Sequence, residues 1–122
     1  MNRTRRLLFE RHAAICQVFS HQLRLELLDA LRDGELTVGE LAARTDSSPS
    51  NVSQHLSLMR DRGALLSRRE GSNVYYGVAD PRIFAAFDMM RQLLLDRIRA
   101  EGELAGIVIP TMTSEETPGR AP

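Results

Sequence analysis

Residues 37–78 predict two short helices joined by a tight turn, followed by a β-hairpin. This order of elements constrains the fold more than any other feature of the sequence. Ser48 and Pro49 predict the start of the second helix, because serine is a good N-cap and proline suits the first helical position. Gly63 predicts the end of this helix near residue 62. The strands of the hairpin are predicted over residues 65–69 and 74–78, with Glu70-Gly71-Ser72-Asn73 as the turn.

Further helices are predicted on both sides of this stretch. Apolar residues recur at helical spacing before it and predict one helix over about residues 5–19 and another over 23–31. Thr37 caps a third helix, with Glu40 in the capping-box position. After the hairpin, a long helix is predicted from residue 80 to about residue 101. The pattern therefore predicts a mainly α fold with a small β-hairpin (α+β), in one domain over residues 1–105 with a flexible polar tail at 106–122.

The predicted helix after Ser48 has two chemically different faces. On a helical wheel Val52, Leu56 and Met59 point one way and are expected to face the core. The opposite side carries only small or amide side chains: Ser50, Asn51, Ser53, Gln54 and Ser57. Amides can form paired hydrogen bonds with adenine edges, and short side chains let a helix enter the major groove of DNA, which is about 12 Å wide. An ordinary solvated face is the alternative, but such faces usually carry Glu, Lys or Arg, so we favour groove reading.

The hairpin adds candidate contacts to the DNA backbone. Arg68 and Arg69 alternate between the two sheet faces, so only one of them is expected to face phosphate fully. Tyr75 and Tyr76 alternate likewise, and one is expected to pack while the other reaches the backbone through its hydroxyl. The alternative for each residue is a solvated hairpin tip. The candidate wing contacts are Arg68, Arg69, Ser72, Asn73, Tyr75 and Tyr76.

Charge and composition narrow the class of protein. The formal net charge is zero and all 16 basic residues are Arg, yet residues 47–82 carry five Arg against three acidic residues while residues 22–46 carry three against six. This distribution can orient a protein on phosphate. No apolar run approaches the roughly 20 residues of a membrane helix, and the apolar stretch near the N-terminus is too short for a secretory signal, so a cytoplasmic location is expected. No catalytic triad, phosphate loop or Cys/His nucleophile pair is present, and neither an enzyme activity nor a cofactor is expected.

The last predicted helix carries more apolar residues than one small domain can cover. Met89, Met90 and the run from Leu93 to Leu95 occupy more than one of its faces. One interpretation buries this helix in a monomer core; the favoured one predicts a dimer interface formed with the first helix. The predicted interface residues are Leu8, Ile15, Phe87, Met90, Leu94 and Ile98.

Residues 21–81 resemble the ArsR/SmtB family of winged helix-turn-helix repressors. The resemblance is carried by RLELL in the second helix, ELA in the third, SNVSQHL in the fourth, the following RGALL and the hairpin sequence RREGSNVYY. It implies a homodimer that binds an inverted-repeat operator in double-stranded DNA and represses transcription until a signal releases it. It also implies a helix-turn-helix over about residues 38–62, a wing over about 65–78 and a dimerisation helix over about 80–101.

The resemblance implies that particular residues contact DNA. Together with the face described above, the implied recognition residues are Ser48, Ser50, Asn51, Ser53, Gln54, His55 and Ser57, and the wing runs from Arg68 to Tyr76. His55 lies beside the apolar stripe on the helical wheel, so a buried role is the alternative for this residue.

The signal is where the chain departs from the family. The third helix has no Cys-x-Cys pair, the last helix has no His, and a single cysteine cannot form an internal disulfide, so none of the usual metal or redox sites is complete. Cys16 and His12, four residues apart, remain as a possible sensor of metal or oxidant. The alternative for this pair is that Cys16 is a small buried residue and His12 a surface residue. The chain would then be a constitutive or protein-regulated repressor, or one that senses another small molecule. A winged-helix module that binds protein is the other alternative function. Loss of signal response in a Cys16→Ser variant would support the sensor.

Overall fold

The structure, a computed structural model, describes residues 2–104, so the predicted tail at 106–122 lies outside the described residues. The described chain is mainly helical, with a small sheet between the fourth and fifth helices that also recruits two residues before the third. The elements are α1 Arg3–Cys16, α2 Gln22–Ala30, β1 Leu36–Thr37, α3 Val38–Thr45, α4 Pro49–Asp61, β2 Leu65–Glu70, β3 Asn73–Val78 and α5 Arg82–Leu104, with single 3₁₀ turns at Gln17–Phe19 and Leu31–Asp33.

The predicted helix starts are confirmed by their hydrogen bonds. The Ser48 hydroxyl accepts from the backbone N–H of Asn51 at 3.2 Å, and Pro49 occupies the first position of α4. At the start of α3, Thr37 and Glu40 form both halves of the capping box. Hydrogen bonds from the Thr37 backbone and hydroxyl lower the pKa of Glu40. These caps satisfy backbone donors that a helix leaves without partners at its N-terminus.

The sheet contains a strand that the pattern did not predict. β1 pairs with β3, which pairs with β2, and both pairings are antiparallel. β1 has only two residues, too few for the alternation by which strands are recognised in a sequence. The β2–β3 turn was predicted, and its first loop residue, Gly71, has a φ of 62°. Glycine adopts this backbone conformation without steric cost, and it suits a two-residue hairpin.

The core of the first unit lies where α2, α3 and α4 meet the base of the sheet. The stripe predicted for α4 is confirmed, since Val52, Leu56 and Met59 are fully buried. Burying each of these side chains contributes about 1.5–3 kcal/mol of hydrophobic free energy. They fix which face of α4 points outward. The other buried apolar side chains up to residue 84 are Val18, Leu23, Leu27, Leu28, Leu31, Leu41, Ala42, Ala64, Leu65 and Tyr76.

The chain divides into two compact units, the first ending at Phe84 and the second beginning at Ala85. In the described part of the second unit, α5 buries Phe87, and the Arg91 guanidinium lies 4.6 Å from the centre of its ring. Among the described side chains of this helix, four large apolar ones are exposed: Met89, Met90, Leu93 and Leu94. Among the described helices, none is both long and apolar enough to span a bilayer.

Candidate nucleic-acid interface

The outer face of α4 presents polar side chains that have no partner in the described part of the chain. Ser50, Asn51 and Gln54 are exposed, while Ser53 and Ser57 are half-buried. Among the described residues, none of these five side chains takes part in a hydrogen bond. Ser48 differs from them, because its hydroxyl is committed to the helix cap. Free donors and acceptors of this kind, on a helix anchored by its opposite face, suit contacts with base edges.

His55 points to the inner side of this helix. Its Nδ1 lies 3.1 Å from a guanidinium nitrogen of Arg24 in α2, and its ring centre lies 4.4 Å from that of His21. Burial, followed by repulsion from His21 and Arg24, lowers the pKa of His55. His55 is half-buried, so the structure favours the inward alternative over base reading for this position.

Arg24 was not predicted as a functional residue. It is buried in α2, although a charged side chain is seldom buried without partners. A signal for it exists in the sequence, because position 24 continues the apolar stripe through Leu27, Leu28 and Leu31 at helical spacing. A charged residue on a core-facing stripe indicates a specific set of hydrogen bonds.

The two arginines of the wing, Arg68 and Arg69, differ in their partners. The Arg68 guanidinium donates to both carboxylate oxygens of Glu35, at 2.9 and 3.1 Å, and to Glu70 at 2.7 Å. It also lies over the Tyr75 ring, 4.7 Å from its centre. The hydrogen bonds with Glu70 and then Glu35 raise the pKa of Arg68 above its ordinary value. Two carboxylates therefore offset its charge and hold its side chain against the sheet.

Gly77 permits this arrangement on the neighbouring strand. A Cβ atom at this position would lie 3.1 Å from Cγ of Glu35, which is closer than an ordinary van der Waals contact. The missing side chain lets Glu35 cross β3 and reach Arg68 on β2.

Arg69 is the exposed arginine of the wing that remains available. It forms no ion pair or hydrogen bond with another described side chain. Ser72 and Asn73, at the hairpin tip, are also exposed. Tyr76 is 6% exposed and belongs to the core, whereas Tyr75 is half-buried beneath Arg68. The predicted alternation of the two tyrosines is confirmed, and the buried one is Tyr76.

The predicted interface residues have mixed environments. Leu8 on α1 is 65% exposed, and Met90 and Leu94 on α5 are 62% and 53% exposed. Ile15 and Ile98 are half-buried, and Phe87 is buried. On α1, Leu7 and Phe9 are exposed beside Leu8.

The possible sensor residues, Cys16 and His12, are both exposed on α1. The interpretation of Cys16 as a small buried residue is therefore wrong, because the end of α1 leaves its thiol at the surface. Within residues 2–104, no group of three or more His, Cys, Asp or Glu residues is arranged to hold a metal ion.

Comparison with known proteins places this arrangement in a family. A sequence profile described as bacterial regulatory protein, arsR family, matches residues 21–64. The transcriptional activator HlyU of Vibrio cholerae is 33% identical over 79 residues, which are 65% of this chain and 73% of that protein. A probable mercury resistance operon repressor of Streptomyces lividans is 36% identical over 89 residues, which are 66% of this chain and 71% of that protein.

Solved structures show the same fold. The homodimeric winged helix-turn-helix DNA-binding domain of Mb0332 from Mycobacterium bovis, a possible ArsR-family regulator, superimposes with a TM-score of 0.75 at 23% identity, covering 82% of this chain and 93% of that one. In this fold α3 and α4 are the helix-turn-helix, and β2 and β3 are the wing. From the sequence matches and this fold together, we conclude that the chain belongs to the arsR family of bacterial regulatory proteins and is a winged helix-turn-helix transcriptional regulator.

Proposed function

We propose that this protein is a repressor that binds an inverted-repeat operator as a homodimer, with α4 of each protomer in a major groove. The observation that carries the proposal is the outer face of α4, where five polar side chains form no hydrogen bond within the described protein. Leaving amides and hydroxyls free on a helix whose other face is fully buried suits recognition of a polar partner. Base edges in the major groove offer such a partner.

The side chains divide into two roles. Asn51 and Gln54 carry the amides that can bond two atoms of one adenine, and we assign them to base reading. Arg69 and the hairpin tip are assigned to phosphate, because Arg69 has no carboxylate partner in the described protein. Arg68 is assigned to holding the wing, since Glu35 and Glu70 already occupy its guanidinium. Phosphate contacts set orientation and affinity, while base contacts set sequence preference.

The test is a binding measurement with a matched pair of duplexes. A duplex is selected from a randomised pool by the protein, and fluorescence anisotropy compares it with a scrambled duplex of the same composition. Tighter binding to the selected duplex, weakening steeply as salt rises, is expected of a sequence-specific DNA-binding protein. Equal, salt-insensitive binding to both would instead favour the winged-helix module that binds protein.

Self-association is proposed from the exposed apolar side chains of α1 and α5. Three consecutive apolar residues of α1, Leu7 to Phe9, are at least half exposed, and α5 adds Met89, Met90, Leu93 and Leu94. Exposed apolar side chains in such numbers mark interaction sites. A symmetric dimer would also place two recognition helices on two half-sites.

Leu94→Glu tests the dimer directly. A carboxylate in an apolar interface loses its hydration, so the variant is expected to sediment as a monomer and to lose most of its affinity for the selected duplex. Ala100→Glu adds the same charge at another exposed position of α5 and is the control. A Leu94→Glu protein that still sediments as a dimer would move the interface to another surface.

Repression is the proposed consequence of binding, in line with the relative named as a mercury resistance operon repressor. The relative named as an activator gives the opposite possibility. Transcription in vitro from the promoter that contains the selected site is expected to fall when the protein is added. A rise in transcript would make this chain an activator.

A further inference from the structure

Arg24 links three parts of the first unit. Its guanidinium donates to the Gln17 carbonyl oxygen at 2.7 and 3.2 Å and to the Ser20 hydroxyl at 3.1 Å, in the segment between α1 and α2. It also donates to Nδ1 of His55 in α4 at 3.1 Å. Arg24 is 9% exposed and forms no ion pair with a carboxylate among the described residues. These hydrogen bonds therefore compensate the burial of its charge.

The contact determines the protonation state of His55. A guanidinium has donors but no acceptor, so Nδ1 of His55 must offer its lone pair to Arg24. His21, whose ring packs against His55, is placed similarly: its Nδ1 accepts the backbone N–H of Leu23 at 3.1 Å and caps α2. Both hydrogen bonds require an unprotonated Nδ1.

The charges around His55 all oppose protonation. Arg24 and His21 are the titratable groups that act on it, from α2 and its cap, and with burial they lower its pKa. α3 and β2 also pack against α4, but no charged group on them shifts the pKa of His55. Among the described residues, no carboxylate pairs with either imidazole.

We propose that Arg24 and unprotonated His55 are positioning residues for the recognition helix, and that proton uptake by His55 weakens operator binding below neutral pH. The inference rests on the proposed function. The proton comes from solvent and occupies Nδ1 of His55, so the Arg24 N–H loses its acceptor. Two cations, Arg24 and protonated His55, then face each other on the inner side of α4, with His21 beside them. That side of the helix is pushed away from α2, while Gln54 is the residue immediately before the disturbed position.

The same proton uptake lowers the stability of the fold. Because the folded-state pKa of His55 lies below its unfolded value, the unfolded chain binds more protons than the folded one between the two values. The contribution to stability is complete above the ordinary histidine pKa, about 6.5, and is lost as pH falls from there through the folded pKa.

The central variant is His55→Gln, which keeps an acceptor for Arg24 but does not titrate. Affinity for the selected duplex is measured by anisotropy from about pH 8 to about pH 5.5, a range that spans the ordinary histidine pKa. We expect wild-type protein to lose affinity several-fold on acidification relative to His55→Gln, whose affinity at the upper pH stays near wild type. His12→Gln removes an exposed histidine on α1 and is expected to keep the wild-type profile.

A second measurement needs no DNA. The chain has three histidines, so their ring signals can be followed separately by NMR during a pH titration. His55 is expected to titrate below the ordinary histidine pKa, about 6.5, because burial and its neighbours lower its pKa. In His21→Asn, which keeps a good N-cap, its titration is expected to move to higher pH because a repulsive neighbour is gone.

Three results would overturn the inference. One is the same pH dependence of affinity in wild type and His55→Gln. Another is a folded His55→Gln protein that fails to bind at the upper pH, which would place the imidazole on the DNA. The third is a His55 signal that titrates at or above the ordinary histidine pKa. If wild-type protein binds no duplex at any pH, the proposed function itself fails and the inference falls with it.

Discussion

We propose that α4 and the wing both contact DNA, but different forces hold them in place. α4 is anchored by Val52, Leu56 and Met59, which are fully buried. In β2 only Leu65 is buried, and the strand is exposed from Leu66 to the turn. The wing is instead held by its pairing with β3 and by the ion pairs of Arg68.

This difference corresponds to the two roles of a DNA-binding surface, which are base reading and phosphate contact. Hydrophobic burial involves no charge that salt could screen, and it holds α4 firmly in place, as base reading would require. Exposed ion pairs are individually weak and are screened by salt, so the wing is held less firmly. A phosphate contact tolerates this, because it depends on charge more than on exact placement. We therefore expect sequence preference to come from α4 and salt-dependent affinity from the wing.

The largest expected effect comes from the buried side of α4. Leu56→Ala should lower the free energy of unfolding by about 2–5 kcal/mol, because it removes buried contacts and leaves a cavity. Leu66→Ala makes the same change on the wing at a side chain that is 63% exposed, and should cost less than about 0.5 kcal/mol. Urea denaturation of both variants checks the contrast. Similar losses in the two would mean that the wing is as firmly packed as α4.

The next effect concerns the outer side of α4. Gln54→Ala should cost roughly 1–3 kcal/mol in affinity for the selected duplex and little for the scrambled one, because only base contacts depend on sequence. Gln22→Ala, a change at an exposed glutamine of α2, serves as control. Anisotropy titrations on both duplexes give the two differences. An equal loss on both duplexes would assign Gln54 to the backbone.

On the wing, Arg69→Ala should weaken binding to both duplexes alike and lower the salt slope by about one per half-site, since a phosphate contact is lost. The control removes the other arginine without changing net charge. In the double variant Arg68→Met with Glu70→Gln, the cation and one of its carboxylates disappear together, and the slope should stay near wild type. If the double variant lowered the salt slope and Arg69→Ala did not, Arg68 would be the phosphate contact in place of Arg69.

The smallest expected effect is at Cys16. Its thiol is exposed and lies outside both α4 and the wing, so Cys16→Ser should leave affinity for the selected duplex unchanged under reducing conditions. The comparison that matters is the response to a thiol oxidant. If the oxidant releases wild-type protein from the duplex but not Cys16→Ser, a redox signal sensed by Cys16 is supported. If it releases both proteins, that signal is excluded.

Much of the helix-turn-helix and hairpin was predictable because its signals are local. The cap at Ser48, the capping box at Thr37 and the turn at Gly71 each involve residues within four positions of one another. The buried stripe of α4 follows from helical spacing alone. β1 was not predicted, because a two-residue strand is defined by the strand beside it. The cap that His21 provides for α2 was missed, since histidine is not among the preferred N-cap residues.

The sequence by itself determined that a polar helix face and a basic hairpin follow each other, since spacing, caps and turn residues act over a few positions. Only the tertiary structure decided which side chains on them remain free. Arg24 meets His55 across 31 positions, and Arg68 meets Glu35 across 33. Contacts between residues so far apart depend on how α2, α4 and the sheet pack. That packing turns His55 inward and occupies Arg68, and within residues 2–104 it leaves Gln54 and Arg69 free for the DNA contacts that we propose.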